Sequence, residues 1–108
     1  MCEKRFSMSN TPMTEATFYI LLSLIHPSHG YGMMQTIKEL SRGRLLIGPG
    51  TLYGVLTRMN KEGLIELVEE EGRKKTYHIT AIGIEALKEE YHRLKNQVID
   101  GKILEDVT

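Results

Sequence analysis

Two pairs of side chains in this sequence have the spacing of metal ligands. His26 and His29 lie three residues apart, and Glu89-x-x-His92 has the helical spacing of a carboxylate and an imidazole that bind one ion. Each is a single pair, whereas a stable site needs three or four ligands. We therefore favour exposed or capping histidines and an ion pair from Glu89 to Arg93 at i,i+4, and we expect no metal and no other cofactor.

Signatures of catalysis are also missing from the sequence. It contains no glycine-rich phosphate loop, no serine elbow and no cysteine–histidine signature that would place a nucleophile beside a base. We therefore expect a protein that is not an enzyme.

Basic side chains are concentrated in the middle of the chain. Residues 42–80 contain 7 basic and 5 acidic residues, although the whole chain has 14 of each and a net charge of zero. Four of the basic residues occur with no acidic residue between them: Arg42, Arg44, Arg58 and Lys61. A further run follows at Arg73, Lys74 and Lys75, so the middle third is where an anionic partner is expected to bind.

Length and composition predict one small globular domain. The 108 residues are 41% apolar and 26% charged, which leaves no room for a second core. The longest apolar stretch, Phe18 to Ile25, is too short to span a membrane, and Met1 to Pro12 lacks the apolar core of a secretory signal. Cys2 is the only cysteine, which rules out an internal disulfide and a cysteine-built zinc site within one chain. We expect a cytoplasmic protein with no membrane partner.

Two helices are predicted in the first half of the chain. Thr14 is a candidate cap for the first helix, which stops before Pro27. This helix is apolar over so wide an arc that it must be covered on two sides, and another subunit is a candidate for the second cover. The second runs from about Gly30 to Ser41, with Ser28 as its cap. Its core-facing stripe is Met33, Met34, Ile37 and Leu40. The next segment, residues 44–47, is predicted to be a brief strand or an extended connector.

The third predicted helix begins at Gly48-Pro49 and ends at Gly63. Its core positions recur at i, i+3, i+4 and i+7: Leu52, Val55, Leu56 and Met59. The opposite face carries small and hydrogen-bonding side chains, flanked by Tyr53 and Arg58: Gly50, Gly54, Thr57 and Lys61. Because glycine costs a helix ~1 kcal/mol relative to alanine, Gly54 suggests close approach to another surface, such as a DNA major groove. The alternative is that Gly54 packs against a neighbouring element.

A hairpin and a fourth helix complete the predicted fold. Two strands are predicted, over Leu64–Glu69 and Lys74–Thr80, joined by a turn that contains glycine. The basic run Arg73 to Lys75 at the tip of this hairpin is suited to binding phosphate. A solvated turn explains the same run, and the acidic residues 69–71 would repel phosphate unless they are turned away.

The last helix runs from Ala81, capped by Thr80, to about Asp100. Its heptad-spaced apolar seam is Ile84, Leu87, Tyr91, Leu94 and Val98, which predicts either a dimer interface or intramolecular packing.

This order of elements predicts a winged helix-turn-helix, mainly α in an α+β arrangement, with a C-terminal dimerisation helix. From about Leu21 to Leu87 the sequence resembles the PadR family of bacterial transcriptional regulators. Three blocks carry the resemblance: HGYG from His29, GPGTLYGVLTRMNKEGLIE from Gly48 and GRKKTYHIT from Gly72. Gly48 and Gly54 depart from the family pattern, in which a capping serine and a bulkier residue are common.

The resemblance implies a repressor that binds a palindromic operator as a homodimer and is released by a small aromatic effector. It places Thr51, Leu52 and Tyr53 on the recognition-helix signature, Tyr31 on a second-helix aromatic, and Arg73, Lys74 and Tyr77 on the wing signature, although we interpret Leu52 as a core residue. The short chain with one C-terminal helix resembles the small subgroup of the family.

We therefore predict a flexible segment 1–12, a DNA-binding domain 13–80, a dimerisation helix 81–101 and a tail 102–108. Two sets of site residues are expected. The DNA-binding residues are Tyr31, Gly50, Thr51, Tyr53, Gly54, Thr57, Arg58, Lys61, Arg73, Lys74 and Lys75. The dimer-interface residues are Phe18, Leu22, Ile84, Leu87, Tyr91, Leu94 and Val98, with Phe18 and Tyr91 beside a flat effector pocket. The alternative is a winged-helix protein-interaction module that does not bind DNA.

Overall fold

The computed structural model describes residues 12–107, so Cys2 and nearly all of the predicted flexible segment 1–12 lie outside the described residues. Within that range the chain forms helices and one two-stranded antiparallel sheet. The elements are α1 (Glu15–Ser23), α2 (Gly30–Leu40), α3 (Pro49–Lys61), β1 (Ile65–Glu71), β2 (Lys74–Ile79), α4 (Ala81–Asp100) and a short 3₁₀ helix (Gly101–Asp106). This is the predicted winged-helix order.

One apolar cluster holds α1, α2, α3 and the base of the hairpin together. Its fully buried members include Ile20, Leu21, Leu24, Met33, Ile37, Leu52 and Met59 on the helices, with Leu64 and Ile65 at the base of the hairpin. The predicted core positions of α3 are confirmed, because Val55 and Leu56 are also buried. The prediction for α2 is right for Met33 and Ile37, but Leu40 is 44% exposed because the helix ends there and its last turn leaves the core.

The predicted cap of α2 is wrong. The N-cap residue is His29, and no side chain of the described residues caps this helix; the Ser28 hydroxyl instead donates to the His29 carbonyl at 3.3 Å. The backbone of Ser28 is used differently: its N–H donates to the Tyr77 carbonyl at 3.0 Å, and its carbonyl accepts from the Tyr77 N–H at 2.8 Å. This bridge attaches the hairpin to the start of α2.

The segment after α2 is a connector, and no strand forms at residues 44–47 within the described part of the chain. Arg42 and Gly43 adopt positive φ angles of 56° and 78°, which turn the chain out of α2. Arg44 then donates to Glu15 at 2.6 Å and to the Tyr19 hydroxyl at 2.9 Å, so the connector is tied to α1.

The hairpin is longer at its tip than the sequence predicts. Pairing continues to Glu71 opposite Lys74, which leaves a two-residue turn, Gly72-Arg73. Gly72 has a φ of 62°, a conformation that favours glycine at the first position of such a turn. A bulge at Val68 separates this outer part of the sheet from the base beside the core.

The last helix begins at the predicted cap and leaves the body of the protein. Thr80 Oγ1 accepts from the Gly83 N–H at 3.1 Å. Gly83 packs directly against the Leu64 carbonyl, where a Cβ would overlap the oxygen. The end of α4 from Lys95 to Asp100 is exposed throughout. None of the helices among residues 12–107 is long and apolar enough to cross a lipid bilayer.

Candidate nucleic-acid interface

The outward face of α3 is bare backbone flanked by hydrogen-bonding side chains. A Cβ built on Gly50 or Gly54 would meet no other atom of the described chain within 4 Å, so Gly54 does not pack against a neighbouring element there. Thr51, Thr57 and Lys61 are exposed along the same helix. The hydroxyl of Thr57 donates to the Tyr53 carbonyl at 2.9 Å, which leaves its oxygen available as an acceptor. The strip is open to a large partner.

Tyr53 connects α3 to the start of α2. Its side chain remains 53% exposed, and its hydroxyl lies against Gly30, where a Cβ would overlap it. Tyr31, the next residue of α2, is 67% exposed. Because glycine stands at position 30, two tyrosines from different helices lie on one surface.

The wing presents basic residues at the hairpin tip. Arg73 lies in the turn, and Lys74 and Lys75 begin β2; all three are exposed. Glu71 pairs in register with Lys74, and Glu70 with Lys75. These two glutamates therefore do not point away from the basic residues of the tip. Each lies beside a lysine and offsets part of the positive charge of that lysine.

An open cleft of about 550 Å³ joins these elements. It is bounded by the start of α2, the outer side of α3 and the wing. The residues that line it are His29, Gly30, Tyr31, Tyr53, Leu56, Thr57, Arg73, Lys74, Lys75 and Tyr77. Six of the predicted DNA-binding residues are thus brought together: Tyr31, Tyr53, Thr57, Arg73, Lys74 and Lys75. His29, which the sequence analysis interpreted as an exposed or capping histidine and not as a metal ligand, lines the same cleft. Its place in the HGYG block is the signal that could have assigned it to this surface.

Arg58 is placed differently from the other predicted residues. Its Nη2 donates to the hydroxyl of Thr17 in α1 at 2.9 Å, and Thr17 is only 5% exposed. Arg44 of the connector also binds α1. Two arginines of the middle basic region therefore form hydrogen bonds to α1 although both residues are exposed, which the charge pattern alone did not reveal.

A family model matches the part of the chain that forms this surface. The transcriptional regulator PadR-like family matches residues 19–89, from α1 through the wing to the first half of α4. The chain belongs to the PadR-like family. Its members are transcriptional regulators that bind DNA and are not enzymes.

Relatives and solved structures agree with this assignment. A PadR-like transcriptional regulator from Bacillus cereus strain ATCC 14579 has 26% identity and a TM-score of 0.69, over 82% of this chain and 89% of that chain. Transcriptional regulator YqjI of Escherichia coli strain K12 is 34% identical over 76 residues, 70% of this chain and 36% of YqjI. An uncharacterized 37.1 kDa protein in transposon TN4556 of Streptomyces fradiae is 35% identical over 98 residues, 87% of this chain and 28% of that protein. The chain thus spans 28% to 36% of the length of these two curated relatives.

The predicted seam of α4 in this PadR-like protein is divided between the core and the surface. Leu87 is 7% exposed and belongs to the core cluster of its own chain. Tyr91 and Val98 are 51% and 67% exposed. Phe18 and Leu22 of α1 are partly buried beside the core. Intramolecular packing therefore accounts for Leu87. The exposed seam residues Tyr91 and Val98 leave room for a partner.

The predicted ion pair on α4 has a different acidic member. Arg93 pairs with Glu90 through two hydrogen bonds, of which Nε to Oε1 is 3.0 Å, instead of with Glu89. The hydrogen bonds from Arg93 hold the pKa of Glu90 below its ordinary value, against the opposite effect of burial. Glu90 is 7% exposed, and a hydrogen bond from the backbone of Met13, just before α1, also lowers its pKa. The pattern of charges could not show with which of two adjacent carboxylates Arg93 pairs.

The two candidate metal pairs gain no third ligand. Among residues 12–107 there is no group of three or more histidine, cysteine, aspartate or glutamate side chains close enough to hold an ion. His92 instead contacts the ring of Tyr91 edge-on, with centroids 5.6 Å apart.

Proposed function

We propose that this PadR-like chain is a repressor that binds a palindromic operator as a homodimer and leaves it when a small aromatic effector binds. The observation that carries the proposal is the exposed bare strip of α3 beside a basic wing. A helix with this strip fits deeply into a major groove, while the wing contacts phosphates that flank the groove.

The proposed DNA contacts fall into two groups. In the major groove, Tyr53 and Lys61 offer hydrogen-bond donors and Thr57 offers an acceptor oxygen around Gly50, Thr51 and Gly54. At the backbone, Arg73, Lys74, Lys75 and Tyr31 contact phosphate. The DNA-binding domain is residues 13–80 in this proposal, and its last β-strand leads directly into the helix that carries the partner.

The proposed dimer uses the outer seam of helix 81–101. Ile84, Tyr91 and Val98 are exposed apolar residues on α4, and Phe18 and Leu22 lie on α1, which α4 crosses. Burying these side chains against a second copy removes apolar area from water. Two copies related by a two-fold axis present two recognition helices, which matches a palindromic site. In the same proposal the aromatic effector binds beside Phe18 and Tyr91.

The test is a salt titration of binding to DNA fragments selected by the purified protein from genomic DNA. We expect the logarithm of the affinity to fall steeply with the logarithm of salt concentration, and the slope to decrease by about 0.9 for each phosphate that a variant no longer neutralises. Arg73→Ala with Lys74→Ala should therefore flatten the slope and weaken binding to every duplex. Failure of the wild type to bind any duplex at low salt would overturn the proposal and favour a protein-interaction module.

A further inference from the structure

A hydrogen bond joins α3, the proposed recognition helix, to α1, between residues that are 41 positions apart in the sequence. Arg58 Nη2 lies 2.9 Å from Thr17 Oγ1. The same oxygen accepts from the Thr14 hydroxyl at 2.9 Å, and Thr14 Oγ1 caps α1 by accepting from the Thr17 N–H at 3.1 Å. The guanidinium of Arg58 is therefore attached to the capped first turn of α1.

The location of the acceptor distinguishes Arg58 from the other basic residues of the DNA-facing surface. Thr17 is 5% exposed, so its hydroxyl oxygen is in a place that DNA does not reach. A hydrogen bond with a charged donor is stronger than one between neutral groups, and breaking this one would leave the nearly buried Thr17 oxygen bonded to the neutral hydroxyl of Thr14. Arg58 and Lys61, three residues further along α3, are both exposed, so the bond to Thr17 is what sets Arg58 apart.

The helix that Arg58 contacts is also the helix of the proposed dimer interface. Thr17 directly precedes Phe18, and the connector before α3 is attached to the same segment through Arg44 and Glu15. The orientation of α3 against α1 therefore determines how the recognition helix lies relative to the recognition helix of the second copy. That relative orientation decides whether both helices fit successive half-sites.

We infer that Arg58 is a positioning residue, which fixes the angle of α3 against α1 through Thr17 and does not itself contact DNA. This inference rests on the proposed function and replaces, for this residue, the groove contact predicted from the helical face. It makes Thr17, a buried residue of α1, a determinant of operator affinity.

The test compares Thr17→Val, Arg58→Gln and their double variant in operator binding over a range of salt concentrations. We expect each single variant to lower operator affinity about tenfold, and the double variant to be no weaker than the singles because both remove one link. The salt slope should stay at the wild-type value in all three, whereas Arg73→Gln should reduce it by about 0.9. Thr17→Ser, which keeps the hydroxyl, should restore binding.

The matched control is Ser23→Ala, which removes another buried hydroxyl of α1 that donates only to the Ile20 carbonyl of the same helix, at 2.7 Å. It should leave operator affinity unchanged. A Thr17→Val protein that binds as well as Ser23→Ala, together with a reduced salt slope for Arg58→Gln, would overturn the inference and make Arg58 a phosphate contact.

Amide hydrogen exchange of the free protein gives a readout that needs no DNA. Both Thr17→Val and Arg58→Gln should speed exchange across α3, and Lys61→Gln should not. Unchanged exchange in the first two variants would overturn the positioning role even if DNA binding is confirmed. Conversely, faster exchange in a protein that binds no duplex would support the link while the proposed function fails.

Discussion

Gly54 and Gly30 lack side chains for different physical reasons. At Gly54 there is open space on the outer face of α3, so the bare position has no packing role within the described chain. At Gly30 the space is occupied by the hydroxyl of Tyr53. In the proposed function, Gly54 allows the backbone of α3 to approach DNA closely. Gly30 leaves the space that the Tyr53 hydroxyl occupies.

Gly54→Ala should therefore raise stability and weaken DNA binding at the same time. Alanine stabilises a helix interior by roughly 0.5–1 kcal/mol relative to glycine, and the new methyl group has no internal neighbour to clash with. The same methyl group stands where the groove floor must approach. Urea unfolding and operator titration measure the two effects. An alanine variant that binds DNA as tightly as wild type would contradict the proposed orientation of α3.

Glu90 should make stability depend on pH in the acidic range. Its pKa is lowered in the folded protein by the hydrogen bonds from Arg93, so the pair stabilises the fold above the ordinary range of a glutamate. This contribution is lost as pH falls below the ordinary range of a glutamate and through the lowered pKa of Glu90, because the unfolded chain then binds a proton more readily than the folded protein.

The measurement is the free energy of unfolding at several pH values for wild type and Glu90→Gln. We expect a flatter acid limb in the variant. Glu85→Gln, which removes an exposed carboxylate from the same helix, is the control and should follow the wild-type curve. Parallel acid limbs for wild type and Glu90→Gln would show that the pair contributes nothing.

At the scale of elements, two glutamates of the wing reduce its electrostatic attraction for DNA. Glu70 and Glu71 face Lys75 and Lys74 across the hairpin, next to the proposed phosphate contacts. Replacing both with glutamine should raise affinity for any duplex, specific or not, because it removes two negative charges near the DNA backbone. The gain should shrink as salt is added. Glu85→Gln on α4 should give a much smaller gain, and an equal gain would place the DNA elsewhere.

The sequence predicts the elements well because their signals are local. Thr14 and Thr80 cap helices as expected, Pro49 begins α3, and the i, i+3, i+4 pattern identifies the buried side of α3. These features depend on neighbours within one or two turns. The cap of α2 is missed because Ser28 takes part in a backbone bridge to Tyr77, a residue far along the chain.

The surface proposed to face DNA is predicted from the sequence in outline but not in every residue. Helical spacing places Gly54 and Thr57 outward, and the turn places Arg73 at the tip, as the structure shows. Spacing on α3 cannot reveal that a long side chain reaches back to Thr17, because that depends on how α1 crosses α3. The inward position of Glu90 depends in the same way on the packing of α4.

At the scale of the whole molecule, α4 extends the chain beyond a compact body. The radius of gyration is 15.4 Å, against about 13 Å for a compact chain of this length. Leu87 anchors the helix in the core, and Tyr91 and Val98 lie further out with half or more of their surface exposed. The outer half of α4 is therefore where a second copy is expected to bind.

Val98→Asp should separate the proposed dimer and leave each chain folded, because Val98 is 67% exposed within its own chain. Sedimentation at micromolar concentration measures the mass, and circular dichroism checks the fold. Leu87→Asp is the contrasting variant: it places a charge in the core and should unfold the protein. Asn96→Asp adds a charge to the same stretch of helix and should remain dimeric. A wild type that is already monomeric would contradict the dimer.

The bridge between Ser28 and Tyr77 has a consequence for how this regulator changes over evolutionary time. Both of its bonds join main-chain atoms, so neither depends on which side chains the hairpin carries. Mutations can exchange the residues at the tip of the wing without loosening its attachment to the helices. A lineage can therefore change how strongly the wing makes its proposed contact with the DNA backbone, one substitution at a time, while the rest of the molecule keeps its shape.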